Sequence, residues 1–333
     1  MPYHLSILDK SYIPEGGNAA QALRDSLALA QQAERLGYHR YWFAEHHSAP
    51  PLASSAPEVL AAFVLAQTSR IRIGTGGVML RHYAPYKVAE VFNLLANLAP
   101  GRVDLGVGKA PGGLLASTRA LAHGREHTPD FTEQLTDLDG FLSNALPEGH
   151  RHADARATPL PAQGQGPQRF LLGASPESAE LAARLGWRFV YAGHFDGDHA
   201  HIERAFAAYQ RASSLTPLLA VVAFAARSTE EATRQLSALR IHKLHLGPGQ
   251  TVNLPSPELA AEYARQAGVS DYRIEETHPS VLAGDADYVR GQLDLLHRRF
   301  GVEEFVLDAP VADHQARLAS LELLAPAPRA AAA

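Results

Sequence analysis

Short runs of β-branched and aromatic residues alternate along the whole chain with longer segments of helical spacing. The first run, 3–8, is followed by 19–36, where Leu23, Leu27, Ala30 and Glu34 recur at helical intervals and Gly37 is placed to end the helix. The second unit pairs 40–44 with a helix from Ser55 or Pro57 to 68. Ser54 or Ser55 with Glu58 reads as its capping arrangement, with proline in the first turn. Strands at 71–79 and 102–107 bracket a helix at 85–98. From 109 to 168 the pattern loosens and leaves one clear helix near 131–146. Alternation then resumes as 169–173 with 176–185, 188–191 with 201–212, and 218–225 with a helix from Thr229. An irregular stretch, 246–279, precedes a helix at 286–300 and a last strand at 304–307.

Eight strand–helix units in one chain imply an α/β fold, a parallel sheet closed into a (β/α)8 TIM barrel with insertions after strand 4 and after strand 7. An open doubly wound sheet would carry a G-x-G-x-x-G turn after its first strand, whereas 9–17 reads DKSYIPEGG. The 333 residues read as one barrel domain over 1–325 and a frayed low-complexity tail, 326–333 (PAPRAAAA). Active sites of such barrels lie at the C-terminal ends of the strands, which narrows the search for chemistry to eight loops.

Composition removes whole classes of function. Thirty basic against 35 acidic residues give a net charge of −5, so no cationic excess exists to grip a nucleic acid or an anionic membrane. Cysteine is absent, which excludes disulfides, thiolate metal sites and cysteine nucleophiles. The start, MPYHLSILDK, lacks a signal-peptide pattern, and no apolar run is long enough to span a bilayer. A cytoplasmic protein is expected.

Four strand ends carry candidate chemistry. Strand 2 runs into Ala44-Glu45-His46-His47, where alternation turns Glu45 and His47 one way and His46 the other. Strand 3 ends in Gly74-Thr75-Gly76-Gly77, whose missing side chains allow a bulge or the close approach of a backbone or a flat ligand. Strand 4 ends in a glycine-rich turn with one cation, Lys109, without the Lys-Ser/Thr of a Walker loop. Strand 5 leads through Gly173 to Ser175-Pro176-Glu177-Ser178, hydroxyls at a helix start suited to an anion. Arg227-Ser228-Thr229 after strand 7 is a rival for the same anion, and spacing alone does not choose between them. The 17 histidines include the pairs His199/His201 and His242/His245, but neither has ligand spacing: the first starts a helix at i,i+2, and the second is read on a helix far from the other candidates. No metal is expected. The G-x-S-x-G elbow of a serine hydrolase is also missing.

Taken in order, AEHHSAPPLASSAPEVLAAFVLAQTSRIRIGTGGVML (44–80), APYKVAEVFNLLANLAPGRVDLGVGKAPGG (84–113), LLGASPESAELAARLG (171–186) and GVEEFVLD (301–308) resemble the bacterial luciferase-like flavin monooxygenases. The resemblance is to the single-chain subgroup with AEHH, GGVML and G(R/K)APG motifs; it is dense over 3–113, moderate over 169–227 and thin elsewhere. It implies FMN at the C-terminal mouth of the barrel. His46 matches the histidine beside the reactive edge of the flavin, and Glu45 is assigned with it to the catalytic pair. Gly76 and Gly77 match a non-proline cis peptide under the ring, and Gly173, Ser175 and Ser178 match the phosphate site, which decides for strand 5 over strand 7. Lys109 stands where the family usually has arginine, a point charge in place of a rigid fork. Arg81-His82-Tyr83 replaces the usual Pro-Asn-His.

The implied reaction uses reduced FMN and O2, forms a C4a-peroxyflavin, and oxygenates a small organic substrate, with His46 handling the proton. A separate flavin reductase is implied as the source of reduced FMN, since no dinucleotide fingerprint is present, and a homodimer is implied by resemblance. The alternatives on the same fold are a flavin or deazaflavin-dependent reductase and a non-catalytic flavin-binding protein. The stretch 246–279 is a candidate lid.

Overall fold

Eight parallel strands close on one another in the computed structural model, which describes residues 1–123, 130–194, 197–247 and 249–326. They are β1 (His4–Asp9), β2 (Arg40–Phe43), β3 (Arg72–Thr75), β4 (Val103–Gly108), β5 (Gln168–Gly173), β6 (Arg188–Ala192), β7 (Leu218–Ala225) and β8 (Glu304–Asp308). Each pairs with the next, and β8 pairs with β1, so the expected (β/α)8 barrel is the fold. Around it run α1 (Ala19–Leu36), α2 (Pro57–Leu65), α3 (Pro85–Leu98), α4 (Phe131–Ser143), α5 (Pro176–Arg184), α6 (His199–Gln210), α7 (Ala286–Phe300) and α8 (His314–Leu324). The last of these goes beyond the pattern reading, which ends its elements at 307. Residues 327–333 of the expected frayed tail lie outside the described residues.

Local chemistry starts and stops these helices. The Asn18 side chain accepts from Gln21 N at the head of α1, and Gly37, at φ 84°, closes its tail as expected. Proline opens α2, α3 and α5. The serine cap expected for α2 does not form. Its first-turn boundary is Ala56, and Ser54 Oγ donates instead to Ala44 O, which ties the loop to the end of β2. The fully buried face of α1 is Ala22, Ser26, Leu29, Ala30 and Ala33; of the expected positions Ala30 lies on it and Leu27 packs against the core at its edge. Glu34 caps a neighbouring turn by accepting from the backbone N–H groups of Ser69, Arg70 and Ile71.

The barrel interior is a stack of layers set by strand alternation. Leu8, Trp42, Ala44, Phe170, Val190, Leu218, Ala220 and Val306 form its apolar middle. Beneath them, at the N-terminal end, the Arg40 guanidinium donates to Glu304 Oε1 (2.6 Å), Glu304 Oε2 (3.2 Å), Asp104 Oδ2 (3.0 Å) and Gln168 Oε1 (2.9 Å). Ser6 Oγ, Trp42 Nε1 and Arg72 Nε complete the same two carboxylates. A Cβ on Gly76 would meet Leu8 Cδ1 at 2.7 Å and Trp42 Cε3 at 3.1 Å, so the large indole of this narrow barrel requires the glycine opposite it.

The insertions fall after β4 and β7. The second corrects the expectation of an irregular stretch over 246–279: Ile241–Gly247 pairs antiparallel with Gln250–Leu254 and with Arg273–Thr277, and a helix, Pro257–Ala267, crosses between them. His242 and His245 therefore lie on a strand rather than a helix. The period of two, with His242 and Leu244 buried, is masked in the sequence by polar residues on both faces. Pro248 lies outside the described residues. Ala116 N donates to Gln266 Oε1 at 2.7 Å, docking this insertion onto the segment after β4. No helix among the described residues is long and apolar enough to cross a membrane.

Candidate active site

The sequence-predicted residues fall at the ends of four consecutive strands, β2 to β5, and form one arc of the barrel rim. His46 follows β2, Gly76 and Gly77 follow β3, Lys109 follows β4, and Gly173 with Ser175 and Ser178 follow β5. The peptide bond between Gly76 and Gly77 is cis. Gly76 N donates to Phe43 O at 2.8 Å, while a Cβ on Gly77 would strike the Gly106 backbone at 2.8 Å, so the glycine pair threads between β2 and β4.

His46 sits deep in this arc. Its backbone N–H donates to Ser54 O at 2.9 Å, and its Nδ1 is buried with no hydrogen-bond partner among the described residues. Its pKa is pushed down to about 3, by burial first and then by the charge of Lys10, with Asp308 opposing and His194 and His47 adding to the fall. The ring is therefore neutral at ordinary pH.

Those charges belong to a cluster that sequence reasoning missed. Lys10 follows β1 and its Nζ lies 2.5 Å from Asp308 Oδ2 at the end of β8. Burial works against the ammonium, but Asp308 and Tyr12 outweigh it and hold its pKa above the ordinary lysine value. His194, after β6, is pushed down to about 4 by burial and Lys10, again against Asp308. A signal was available: Lys10 and Asp308 each stand two residues beyond an inward apolar residue, Leu8 and Val306, so alternation turns both into the mouth.

Glu45 points away from this cluster, as alternation requires. It is fully buried, with His47 Nε2 at 2.7 Å, the Tyr83 hydroxyl donating at 2.8 Å and Met79 N donating at 3.0 Å. The His82 ring packs edge-on against His47, and His82 Nε2 lies 2.7 Å from Pro111 O. Arg81-His82-Tyr83 thus builds part of the outer wall that carries the β2, β3 and β4 loops.

At the far end of the arc, Ser175 Oγ caps α5 by accepting from Ser178 N, and the two hydroxyl oxygens are 3.3 Å apart. Gly173 allows this, since a Cβ there would meet Ser178 Cβ at 2.7 Å. Lys109 reaches the same corner: the Glu177 carboxyl is held below its ordinary value by its own backbone N–H, by Ser175 and by Lys109. Two hydroxyls, a helix start and an exposed ammonium are a donor set suited to a phosphate. The rival helix start after β7 is occupied by acids, with Glu231 accepting from Arg227 N. Among the described residues no group of three or more His, Cys, Asp or Glu is placed to hold a metal ion.

Comparison with known proteins bears on the fold and the family. Residues 3–304 match the sequence profile described as luciferase-like monooxygenase. Over 332 residues the chain is 42% identical to the N-acetyl-S-alkylcysteine monooxygenase of Bacillus subtilis (strain 168), with 98% of each chain covered. The solved structure of apo-MsnO8 superposes with a TM-score of 0.75 at 33% identity, covering 97% of this chain and 96% of that one. The oxygenating constituent of 3,6-diketocamphane monooxygenase from Pseudomonas putida, in complex with FMN, gives a TM-score of 0.69 over 97% of this chain and 96% of that one; at 19% identity it shares the fold.

Proposed function

This chain belongs to the luciferase-like monooxygenase family, and on that premise we propose that it is an FMN-dependent monooxygenase acting on a small organic substrate. In the reaction, one atom of O2 enters the substrate, the other leaves as water, and reduced FMN gives two electrons. The observation that carries this reading is the rim arc, with a neutral buried imidazole at one end and a phosphate-type donor set at the other. Reduced FMN, when bound, supplies the electrons that activate oxygen. The residues of the chain do the rest. Ser175, Ser178 and Lys109 would hold the phosphate, and the Gly76–Gly77 segment between β2 and β4 would border the ring. His46 holds or moves a proton at the reactive edge, which neutral imidazole does well. Glu45 acts at one remove, fixing His47, Tyr83 and the Met79 backbone so that the loop bearing His46 stays in place.

Reduced FMN is supplied by a separate flavin reductase in the cytoplasm, a reading supported by the absence of a dinucleotide fingerprint after β1. A homodimer is supported by an apolar stripe on two neighbouring helices. Val59 and Phe63 on α2 and Leu94 and Leu98 on α3 recur four residues apart, and Phe63 is 56% and Leu98 73% exposed. Phe63→Glu with Leu98→Glu is expected to halve the mass measured by light scattering while leaving the circular dichroism spectrum unchanged.

The relative at 42% identity makes S-alkylated N-acetylcysteines the first substrates to test. The experiment is an oxygen-free titration with reduced FMN, followed by oxygenated buffer and N-acetyl-S-methylcysteine, with mass spectrometry for a product 16 Da heavier or cleaved at sulfur. Flavin binding with such a product supports the proposal. Binding of a deazaflavin instead of FMN, with hydride transfer and no oxygen uptake, overturns it in favour of a reductase.

A further inference from the structure

Three loops meet where Lys109 leaves the barrel. Gly108 ends β4 between two neighbours, opposite Met79 on one side and Leu172 of β5 on the other. One step further along the same register, Lys109 comes level with Gly173, at the head of the turn into Ser175 and Ser178. Its side chain stands exposed. Just beyond it the chain is held again. His82 Nε2 lies 2.7 Å from Pro111 O, and His47 N donates to Gly112 O at 2.7 Å. Gly113 then packs so closely on His47 O that a Cβ there would strike it. Lys109 and Ala110 are therefore a two-residue span between fixed points.

The side-chain anchor of that span is set from behind. A carbonyl oxygen only accepts, so His82 carries its proton on Nε2 and donates to Pro111. The His82 residue is 7% exposed, and its ring lies edge-on to two others, His47 at 5.6 Å and Tyr83 at 6.1 Å. Both of these reach one buried carboxylate oxygen, Glu45 Oε1, at 2.7 Å from His47 Nε2 and 2.8 Å from the Tyr83 hydroxyl. One carboxylate thus sets two rings, the rings flank His82, and His82 holds Pro111. The order matters for a lysine. Its charge is compact and rides a flexible stem, so the place of its backbone decides where the ammonium can reach.

We propose that His82 is a positioning residue for the phosphate corner. Its Nε2–H holds Pro111 O and fixes the span that carries Lys109, which keeps the ammonium within reach of the Ser175–Ser178 helix start. The group served is the phosphate monoester of a bound flavin, and the proposal rests on the reading of Lys109 as a phosphate-holding residue. No proton of the reaction passes through His82. Its loss is felt in cofactor affinity and not in turnover of the loaded enzyme.

The test titrates reduced FMN and reduced riboflavin, which differ in the phosphate alone, in the absence of oxygen. His82→Phe keeps a ring beside His47 and Tyr83 but removes the donor, and His82→Gln returns an N–H at similar reach. The FMN Kd is expected to rise about fivefold in His82→Phe and to stay within about twofold of wild type in His82→Gln. Riboflavin binding and kcat at saturating reduced FMN are expected to be unchanged in both. Lys109→Met should raise the FMN Kd about tenfold, and His82→Phe should add nothing in that background, because residues acting through one another are not additive. An unchanged FMN Kd in His82→Phe, an equal loss for riboflavin, or losses that multiply in the double variant overturns the proposal. His82→Leu serves the same purpose should His82→Phe fail to fold. A wild type that binds FMN no better than riboflavin sinks the phosphate reading instead. Amide exchange in flavin-free protein then decides the anchor by itself: peptides covering 44–50 and 106–114 are expected to exchange faster in His82→Phe, and equal rates overturn it.

Discussion

The two ends of the barrel interior hold buried charges of similar kind and treat them in opposite ways. At the N-terminal end, Arg40 faces Asp104 and Glu304, a serine, a tryptophan and a second arginine satisfy the carboxylates from other sides, and a glutamine oxygen accepts from Arg40. At the C-terminal mouth, Lys10 pairs with Asp308, yet Asp308 Oδ1 and His46 Nδ1 have no partner among the described residues. The apolar layer between them, with Trp42 and Phe170 at its centre, keeps the two ends apart. A saturated buried network closes and stiffens a structure, whereas an unsaturated one stores capacity for a ligand or a proton. The closed end is therefore read as structural and the mouth as chemical.

His46→Gln should separate the two ends most sharply. Turnover is expected to fall by about 100-fold or more, with thermal stability unchanged or slightly raised, since an orphan buried atom is exchanged for an adaptable amide. Arg40→Met is the reciprocal change. It leaves Asp104 and Glu304 buried without their cation and should cost about 3–5 kcal/mol in urea unfolding, while the fraction that folds turns over normally. Equal losses of activity from both variants would erase the distinction.

The phosphate corner gives a smaller effect. Ser175→Ala and Ser178→Ala should each weaken FMN binding about tenfold, the worth of a hydrogen bond to a charged group. Only Ser175→Ala should also lower stability, by about 1 kcal/mol, because Ser175 alone caps the helix. Flavin titration and thermal melting read the two effects separately.

The smallest effect lies in the acid limb of the stability profile, and both ends contribute to it. His39, near the closed end, is held at about 4 by burial and the Arg40 charge, beside His194 at about 4 and His46 at about 3. Each is depressed below its unfolded value of about 6.5, so the unfolded chain binds the proton first. The stability they contribute is whole above about pH 6.5 and drains as pH falls towards 4, and towards 3 for His46. His46→Gln should make urea unfolding less steeply pH-dependent in that window, by at most about 1.4 kcal/mol per pH unit. An unchanged slope would mean that the imidazole is solvated and the mouth is open.

Much of this design was legible along the chain because it is local. Alternation of short apolar runs with helical segments predicts the barrel, and a glycine such as Gly37 ends a helix by its own backbone freedom. The same period of two turns Glu45 and His47 together and His46 apart, and the structure keeps that arrangement. Local pattern fails where partners are distant or faces are mixed. The strand carrying His242 and His245 reads as a helix until its two antiparallel neighbours supply the missing hydrogen bonds. The serine expected to cap α2 turns to Ala44, a contact that only closure of the loop creates.

Lys10 and Asp308 are the clearest case, being 298 residues apart in sequence and 2.5 Å apart in space. Residue order supplies their charges and their inward direction. Closing β8 against β1 brings them together, and burial near them lowers the pKa of the His46 imidazole well below its ordinary value. Burial and closure are properties of the folded chain, since water satisfies the same groups in any open one.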